Sequence, residues 1–221
     1  MTVLASAAAV PALVSQAAQQ TQKTERGVVG YRVHRVFDVH AGPYHRHDDM
    51  VFAAVYEDGR LVKMHIVHQS VNGKETDEKT QAQTEQKYEH PAPGDLFERP
   101  FDPRYVPDYT YQMSGTREVQ FKASVRDAGH GDGTFAVDGS GNVTSVQYTP
   151  TAFPPYTSSG TVTDQRGSVL PDYWATTRED QQFHGHYAVF GGGASVEITQ
   201  TGFTRFGSLQ EGLSALAAGR I

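Results

Sequence analysis

Residues 116–150 carry the clearest pattern in the chain. Val119, Phe121, Ala123 and Val125 alternate with Glu118, Gln120, Lys122, Ser124 and Arg126. A period of two predicts a strand with one dry face and one wet face. The Gly-rich stretches 129–133 and 138–141 mark two tight reversals, because Gly and Asp tolerate the positive φ that such turns need. Together they predict a three-strand antiparallel meander. Its apolar side, with Phe121, Phe135, Val146 and Tyr148, needs a cover.

Upstream, residues 28–40 place Tyr31, Val33, Phe37 and Val39 on one face, and 41–49 are predicted to be a turn around Gly42-Pro43. Residues 50–57 are apolar on both faces, as expected for a strand covered from two sides. Asp58-Gly59 is a hairpin signal, leading into 60–71, where Val62, Met64, Ile66 and His68 share a face. Residues 73–89 lose apolar periodicity. Glu75 and Lys79 stand in the favourable i,i+4 order for a solvated helix, and the polarity fits a mobile insertion equally well. Prolines at 91, 93, 100, 103 and 107 exclude a helix or central strand through 90–108. Residues 73–109 are therefore predicted to be a Pro-rich insertion outside the sheet.

Downstream, 151–159 reads as an extended link, and 161–169 and 173–179 as strands. Residues 183–190 and 194–206 read as a hairpin around Gly191-Gly192-Gly193, and 208–218 as a C-terminal helix capped by Gly219. The count is about nine or ten antiparallel strands, so the chain is predicted to be mainly β with a few helices, in a barrel or strongly curved sheet. Residues 28–221 are expected to form one domain.

Before that domain, residues 4–20 read LASAAAVPALVSQAAQQ. The run resembles the apolar region and small-residue cleavage site of a secretory signal, with Ser15 and Ala17 around the cut and no basic start. That reading puts the protein in the periplasm or outside the cell. The alternative is an Ala-rich helix entered after Pro11 and running to about Lys23. Either way the stretch falls short of the ~20 strongly apolar residues of an integral membrane span.

Composition narrows the function classes. With 38% hydrophobic residues, 22 Gly and 11 Pro, the chain suits a turn-rich β protein better than a helical bundle. The net charge is −6 and the 19 Lys and Arg are scattered, which leaves no electrostatic footprint for nucleic acid. Cysteine is absent, and with it disulfides, thiolate metal sites and a Cys nucleophile.

The order of features resembles the LolA/LolB-like superfamily of periplasmic lipoprotein carriers. An N-terminal helix and a strand hairpin precede FDPRYVPDYTYQMSG (101–115), the alternating strand, the hairpin GTFAVDGSGNVTSVQY (133–148) and VFGGGASVEITQTGFTRF (189–206). The resemblance spans 28–206. It implies an unclosed antiparallel half-barrel with helices on its concave side, sheltering acyl chains without a cofactor. No position matches the carriers' gating arginine, so no family residue is carried over.

Candidate chemistry comes from two sets of side chains. Phe121, Phe135, Val146 and Tyr148, joined by Tyr187 and Phe203, are the candidate lining of an apolar cavity for a lipid or other hydrophobic ligand. The competing reading packs them against a helix with no room left. His45 with His47, and His184 with His186, have the HxH spacing that turns two imidazoles to one face of a strand. The cupin-type Glu is missing after the first pair, and the competing reading makes both pairs solvated residues near turns. Convergence of the two pairs would make a four-histidine metal site credible. His65 and His68 point to opposite faces. There is no G-x-S-x-G elbow, and Gly191-Gly192-Gly193 lacks the Lys-Ser/Thr of a phosphate loop. Asp127, Asp132, Asp138 and Asp164 read as turn residues answering local backbone donors.

Binding therefore stands ahead of catalysis. The expected function is non-enzymatic binding of a lipid, acyl or other hydrophobic ligand in the bacterial envelope. The alternatives are a cupin-like metalloprotein using the histidine pairs, and an envelope assembly module whose strand edges pair with a protein partner.

Overall fold

In the computed structural model, which describes residues 10–91, 97–153, 155–187 and 190–221, the alternating runs become strands of one antiparallel sheet. The chain forms α1 (Ala12–Thr24), β1 (Val28–Ala41), β2 (Tyr44–Glu57), β3 (Arg60–Val71), β4 (Lys74–Glu75) and α2 (Glu78–Glu89). A 3₁₀ turn (Val106–Asp108) leads into β5 (Tyr109–Met113), β6 (Glu118–Ala123), β7 (Gly131–Val137) and β8 (Val143–Pro150). The rest is β9 (Thr157–Leu170), β10 (Tyr173–Tyr187), β11 (Phe190–Phe206) and α3 (Leu209–Ala217). In space the strands run β4-β3-β2-β1-β11-β10-β9-β8-β7-β6-β5. Only the β1–β11 pairing joins strands that are not neighbours in sequence.

This sheet corrects the expected curved half-barrel of nine or ten strands. It has eleven strands and is neither closed nor strongly curled. Closure would need its two edges to meet, and neither is built for pairing. β4 is two residues long and β5 five. Beyond β4, α2 occupies the free edge of β3: Glu89 Oε1 accepts from the Met64 N–H at 3.0 Å and Glu85 Oε1 from the Ile66 N–H at 2.7 Å. Carboxylates thus take the donors that another strand would otherwise bond.

The helices do not gather on one side either. On the front face, Val14 and Ala17 of α1 pack with Val119, Phe121, Phe135, Val137, Val146 and Val162. Phe97, Phe101, Tyr105 and Val106 join the same cluster. A second front-face cluster holds Val29, Tyr31, Phe52, Ala54, Met64 and Tyr173. Ala53 and Val55 alternate with Phe52 and Ala54 along β2, so they face the back, where they pack with Ala215 and Leu216 of α3 and with Ile221.

Three further expectations change. Residues 41–49 are not a long turn: β1 and β2 stay in register out to Ala41 and Tyr44, leaving Gly42-Pro43 as the turn. Gly191, Gly192 and Gly193 are strand residues of β11, paired with His186, Gly185 and His184. A Cβ on Gly192 would stand 2.8 Å from the Ala41 Cβ, so the glycine permits a close approach of β1. Residues 73–109 are not outside the sheet, since they supply β4 and the fully buried Phe101 (0% exposed). The Ala-rich run from Ala12 is likewise part of the core. A cut around Ser15 and Ala17 would remove the buried Val14; residues 1–9 lie outside the described residues.

A buried ion cluster ties the front cover to the sheet. Glu25, just beyond α1, accepts from both Arg99 nitrogens at 2.9 and 2.8 Å and from Arg166 Nη2 of β9. Both guanidinium groups also lie over the Phe101 ring, at 5.4 Å for Arg99 and 5.2 Å for Arg166. Burial alone would raise the Glu25 pKa, but the charges and hydrogen bonds of the two arginines hold it below the usual value. Burial would lower Arg99 too, yet Glu25 and Asp102 keep it raised; in Arg166 the burial wins. Removing one partner of such a cluster leaves uncompensated charge in a dry site. We expect Glu25→Ala to cost about 3–5 kcal/mol in urea unfolding, and a loss under about 1 kcal/mol, as for an exposed pair, would contradict this role.

Candidate functional site

Among the described residues, the covering elements leave the front face open at one end. There β1, β11 and β10 run on toward their hairpins, past the reach of α1 and residues 97–108. Strict register aligns Phe37 with Val196 and Val39 with Ala194, then Ala194 with Phe183 and Val196 with Gln181. These side chains line a cleft of about 670 Å³, flanked by Tyr44 and Thr157. The volume lies within the range of small-molecule sites, which combine apolar walls with a few placed polar groups. Phe183 rests on Gly160 across the β9–β10 pairing, where a side chain would collide with the ring.

The polar end of the cleft carries Arg35 and Gln181. The Arg35 guanidinium sits 5.3 Å from the centre of the Phe37 ring. Gln181 donates from Nε2 to Glu179 Oε1, and Glu179 lies opposite Asp164 in the β9–β10 register. Burial raises the Asp164 carboxyl to about 7, helped by the neighbouring Glu179 charge. Burial raises Glu179 as well. Two carboxyls this close cannot both ionise cheaply, so near neutral pH the pair shares a proton. This pair, with one proton between two carboxyls, lies one register step from Gln181 along the same face. A second, polar cleft of about 480 Å³ opens beside the ion cluster, among Thr21, Glu25, Arg26, Arg60, Arg99 and Asp102.

The candidate lining residues from the sequence sit elsewhere. Phe121, Phe135, Val146 and Tyr148 are buried against α1 and residues 97–108. Phe97 stacks on Tyr148 at 3.6 Å, and Phe101 meets Phe135 edge-on at 5.6 Å. Phe203 packs beside Tyr31, at 4.6 Å between rings. Tyr187 pairs with Phe190 at the tip of β10, and its side chain is outside the described residues. The cleft is lined instead by Phe37, Val39, Phe183, Ala194 and Val196. For Phe37 and Val39 the sequence signal was present, since they share a face with Tyr31 and Val33. What it lacked was any mark of where the cover stops.

At the same end the histidine pairs lie on the opposite pleat of the strands, although His184 and His186, together with His40, also border the cleft. His45 pairs with His40 across β1–β2, and His40 and His184 flank Gly193 from either side. A Cβ on Gly193 would lie 3.5 Å from His40 Cε1 and 3.7 Å from His184 Nδ1. His47 Nδ1 is 2.7 Å from Asp38 Oδ1, and this carboxylate raises the His47 pKa. No three of these histidines bring ligand atoms within 4.8 Å of one another.

No family model and no curated protein matches the chain. Among solved structures, one of lipid–protein interactions in lipovitellin is 6% identical with a TM-score of 0.39. That match covers 81% of this chain, which spans only 26% of the lipovitellin chain. A DUF1329 family protein from Desulfovibrio piger is 10% identical, with a TM-score of 0.35 and coverage of 90% of this chain and 93% of that one. The Pseudomonas aeruginosa MucA/MucB complex gives 9% identity and a TM-score of 0.22 over 89% of this chain and 98% of that one. These likenesses are loose, and none of the three is a LolA/LolB carrier. No described helix is long and apolar enough to cross a membrane.

The acid pair has a titration consequence. A carboxyl raised in the folded state favours the protonated form, so its contribution to stability is full below the unfolded pKa near 3.8 and fades as pH rises through about 7. We expect Asp164→Asn to gain stability relative to wild type as pH goes from about 5 to about 8, measured by urea unfolding. A difference that stays constant over that window would contradict the shared proton.

Proposed function

We propose that the protein binds an elongated apolar ligand, an acyl chain or a group of similar shape, in the front-face cleft. The observation that carries this reading is the uncovered end of an otherwise covered face, where Phe37, Val39 and Phe183 stay partly exposed around about 670 Å³. Elsewhere on that face the same kinds of side chain are buried under α1 and residues 97–108. An apolar chain entering the cleft would remove those walls from water, which is worth about 0.8 kcal/mol per buried methylene. Arg35 and Gln181 would meet a polar end group, so an amphipathic molecule fits better than a pure hydrocarbon.

In this reading the protein acts by sheltering its ligand, and its place is the bacterial envelope, periplasmic or secreted. Any leader would have to end before Ala12, because α1 fills the core. Recruitment of an envelope protein partner would proceed through a surface other than the edge of β3, which α2 occupies.

Native mass spectrometry and a fluorescent fatty-acid titration test the proposal. We expect saturable binding to wild type, weakened at least about tenfold, or 1.4 kcal/mol, in Phe37→Asp and Val39→Asp with the far-ultraviolet spectrum unchanged. Absence of saturable binding, or equal binding by both variants, would end this reading.

A further inference from the structure

Far from the cleft, three loop segments bring a histidine and three carboxylates together beside β5. His130, in the β6–β7 connection, is only 4% exposed. Its Nδ1 lies 2.8 Å from Asp127 Oδ1, which also accepts from the Gly129 N–H at 2.9 Å. A carboxylate can only accept, so Nδ1 presents its N–H to Asp127, and Nε2 is the ring nitrogen on the side open to an ion. That Nε2 is buried and has no aligned hydrogen-bond partner. It faces Glu98 Oε2 at 3.1 Å and Asp108 Oδ2 at 4.0 Å, and one ligand atom from each of the three residues lies within 4.8 Å of the others.

The 3.1 Å spacing of His130 and Glu98 suits a shared ion, and the partly exposed Asp108, at 4.0 Å, would have to close in by about 0.5–1 Å. With metal–ligand bonds of about 2.0–2.2 Å, neighbouring donor atoms around one tetrahedral or octahedral ion stand about 3–3.5 Å apart. The donors are also held in place before any ion arrives. The Glu98 N–H donates to the Gly129 carbonyl at 2.7 Å, and the Glu98 carbonyl accepts from the Tyr109 hydroxyl. The Asp108 carbonyl accepts from the Ser124 N–H at 2.7 Å, and the His130 carbonyl from the Thr151 N–H at 2.8 Å. Thr151 Oγ1 in turn donates to the Asp127 carbonyl at 2.8 Å.

We propose that His130 Nε2, Glu98 and Asp108 bind a first-row divalent cation, zinc being the natural probe, with Asp127 orienting the imidazole. One imidazole with two carboxylates suits zinc or manganese and lacks the soft sulfur donors that select copper(I). An Asp–His pair behind the ligating nitrogen is the usual outer support of such sites. Glu98 and Asp108 side chains are 29% and 38% exposed, which gives the ion an entry path and leaves a position for water. Bound there, it would pin the start of the Pro-rich cover and the approach to β5 onto the β6–β7 connection. The site is independent of the apolar cleft and of the back-face histidines.

The test is zinc titration of the chelator-treated full chain by calorimetry, with thermal melts in parallel. Wild type should bind one zinc saturably and melt at higher temperature when loaded. Glu98→Gln and Asp108→Asn, both at partly exposed positions, should each weaken binding at least about tenfold, as should Asp127→Asn through the support it removes. The double variant His45→Ala/His184→Ala should bind like wild type, which separates this site from the histidine row. No saturable binding at about 100 μM zinc (a free energy near −5.5 kcal/mol), or undiminished binding in both Glu98→Gln and Asp108→Asn, overturns the proposal. The His130 ring would then be held by Asp127, Glu98 and Asp108 without an ion.

Discussion

The attachment of the front cover depends on one carboxylate held between two guanidinium groups. Glu25 joins the end of α1 to Arg99 of the Pro-rich segment and to Arg166 at the centre of the sheet, partners 74 and 141 residues away in sequence. Burying three charges is costly, and the arrangement is tolerable because each is answered by another and by the face of Phe101. Tyr173 stands nearby, its own hydroxyl kept protonated by burial and by the Glu25 charge. The cluster lies between the two front-face hydrophobic clusters, so it links them without merging them. Hydrophobic contacts supply the bulk of the burial, while the ion cluster fixes where the cover sits.

That fixed position determines what remains open. α1 and residues 97–108 pack on β5 to β9, and α1 also touches β10. Among the described residues, Phe37 and Val39 of β1 and Phe183 of β10 stay partly exposed beyond that cover. Polar inward residues adjoin the apolar ones: Arg35 of β1, Glu179 of β10 and Asp164 of β9 share a register row with Ile198 of β11, and Gln181 stands one step away beside Val196. An apolar wall ending on a polar floor is a gradient along one face of a single sheet. Under the proposed reading it would favour molecules with two unlike ends.

Much of this fold is legible in the sequence, and the failures have specific causes. The strand from Glu118 to Ala123 alternates in burial as its residues alternate in polarity. Asp58-Gly59 forms its hairpin with positive φ at both residues. β10 was divided in two because Arg178 to Gln182 is continuously polar, yet Glu179 and Gln181 point inward to a polar interior. Gly191 to Gly193 read as a turn because glycine marks turns far more often than it marks tight strand pairing. The HxH spacing sets each histidine pair on one pleat of its strand, but periodicity cannot tell which side chains border a hollow. The aromatic lining meets the same limit: Phe121 and Phe37 obey one period, and only the position of a distant helix buries the first and leaves the second at a cleft. Arg99 and Arg166 carry no local sign of sharing Glu25.

The central claim is that the open end of the front face, and not its covered end, receives the ligand. Backbone and methyl chemical shifts recorded during titration with a long-chain fatty acid test it most directly. The account predicts saturating changes at Phe37, Val39, Phe183, Ala194 and Val196, with Phe121, Phe135 and Val146 essentially still. Changes centred on Phe121, Phe135 and Val146, or no saturating change anywhere on the face, would contradict it.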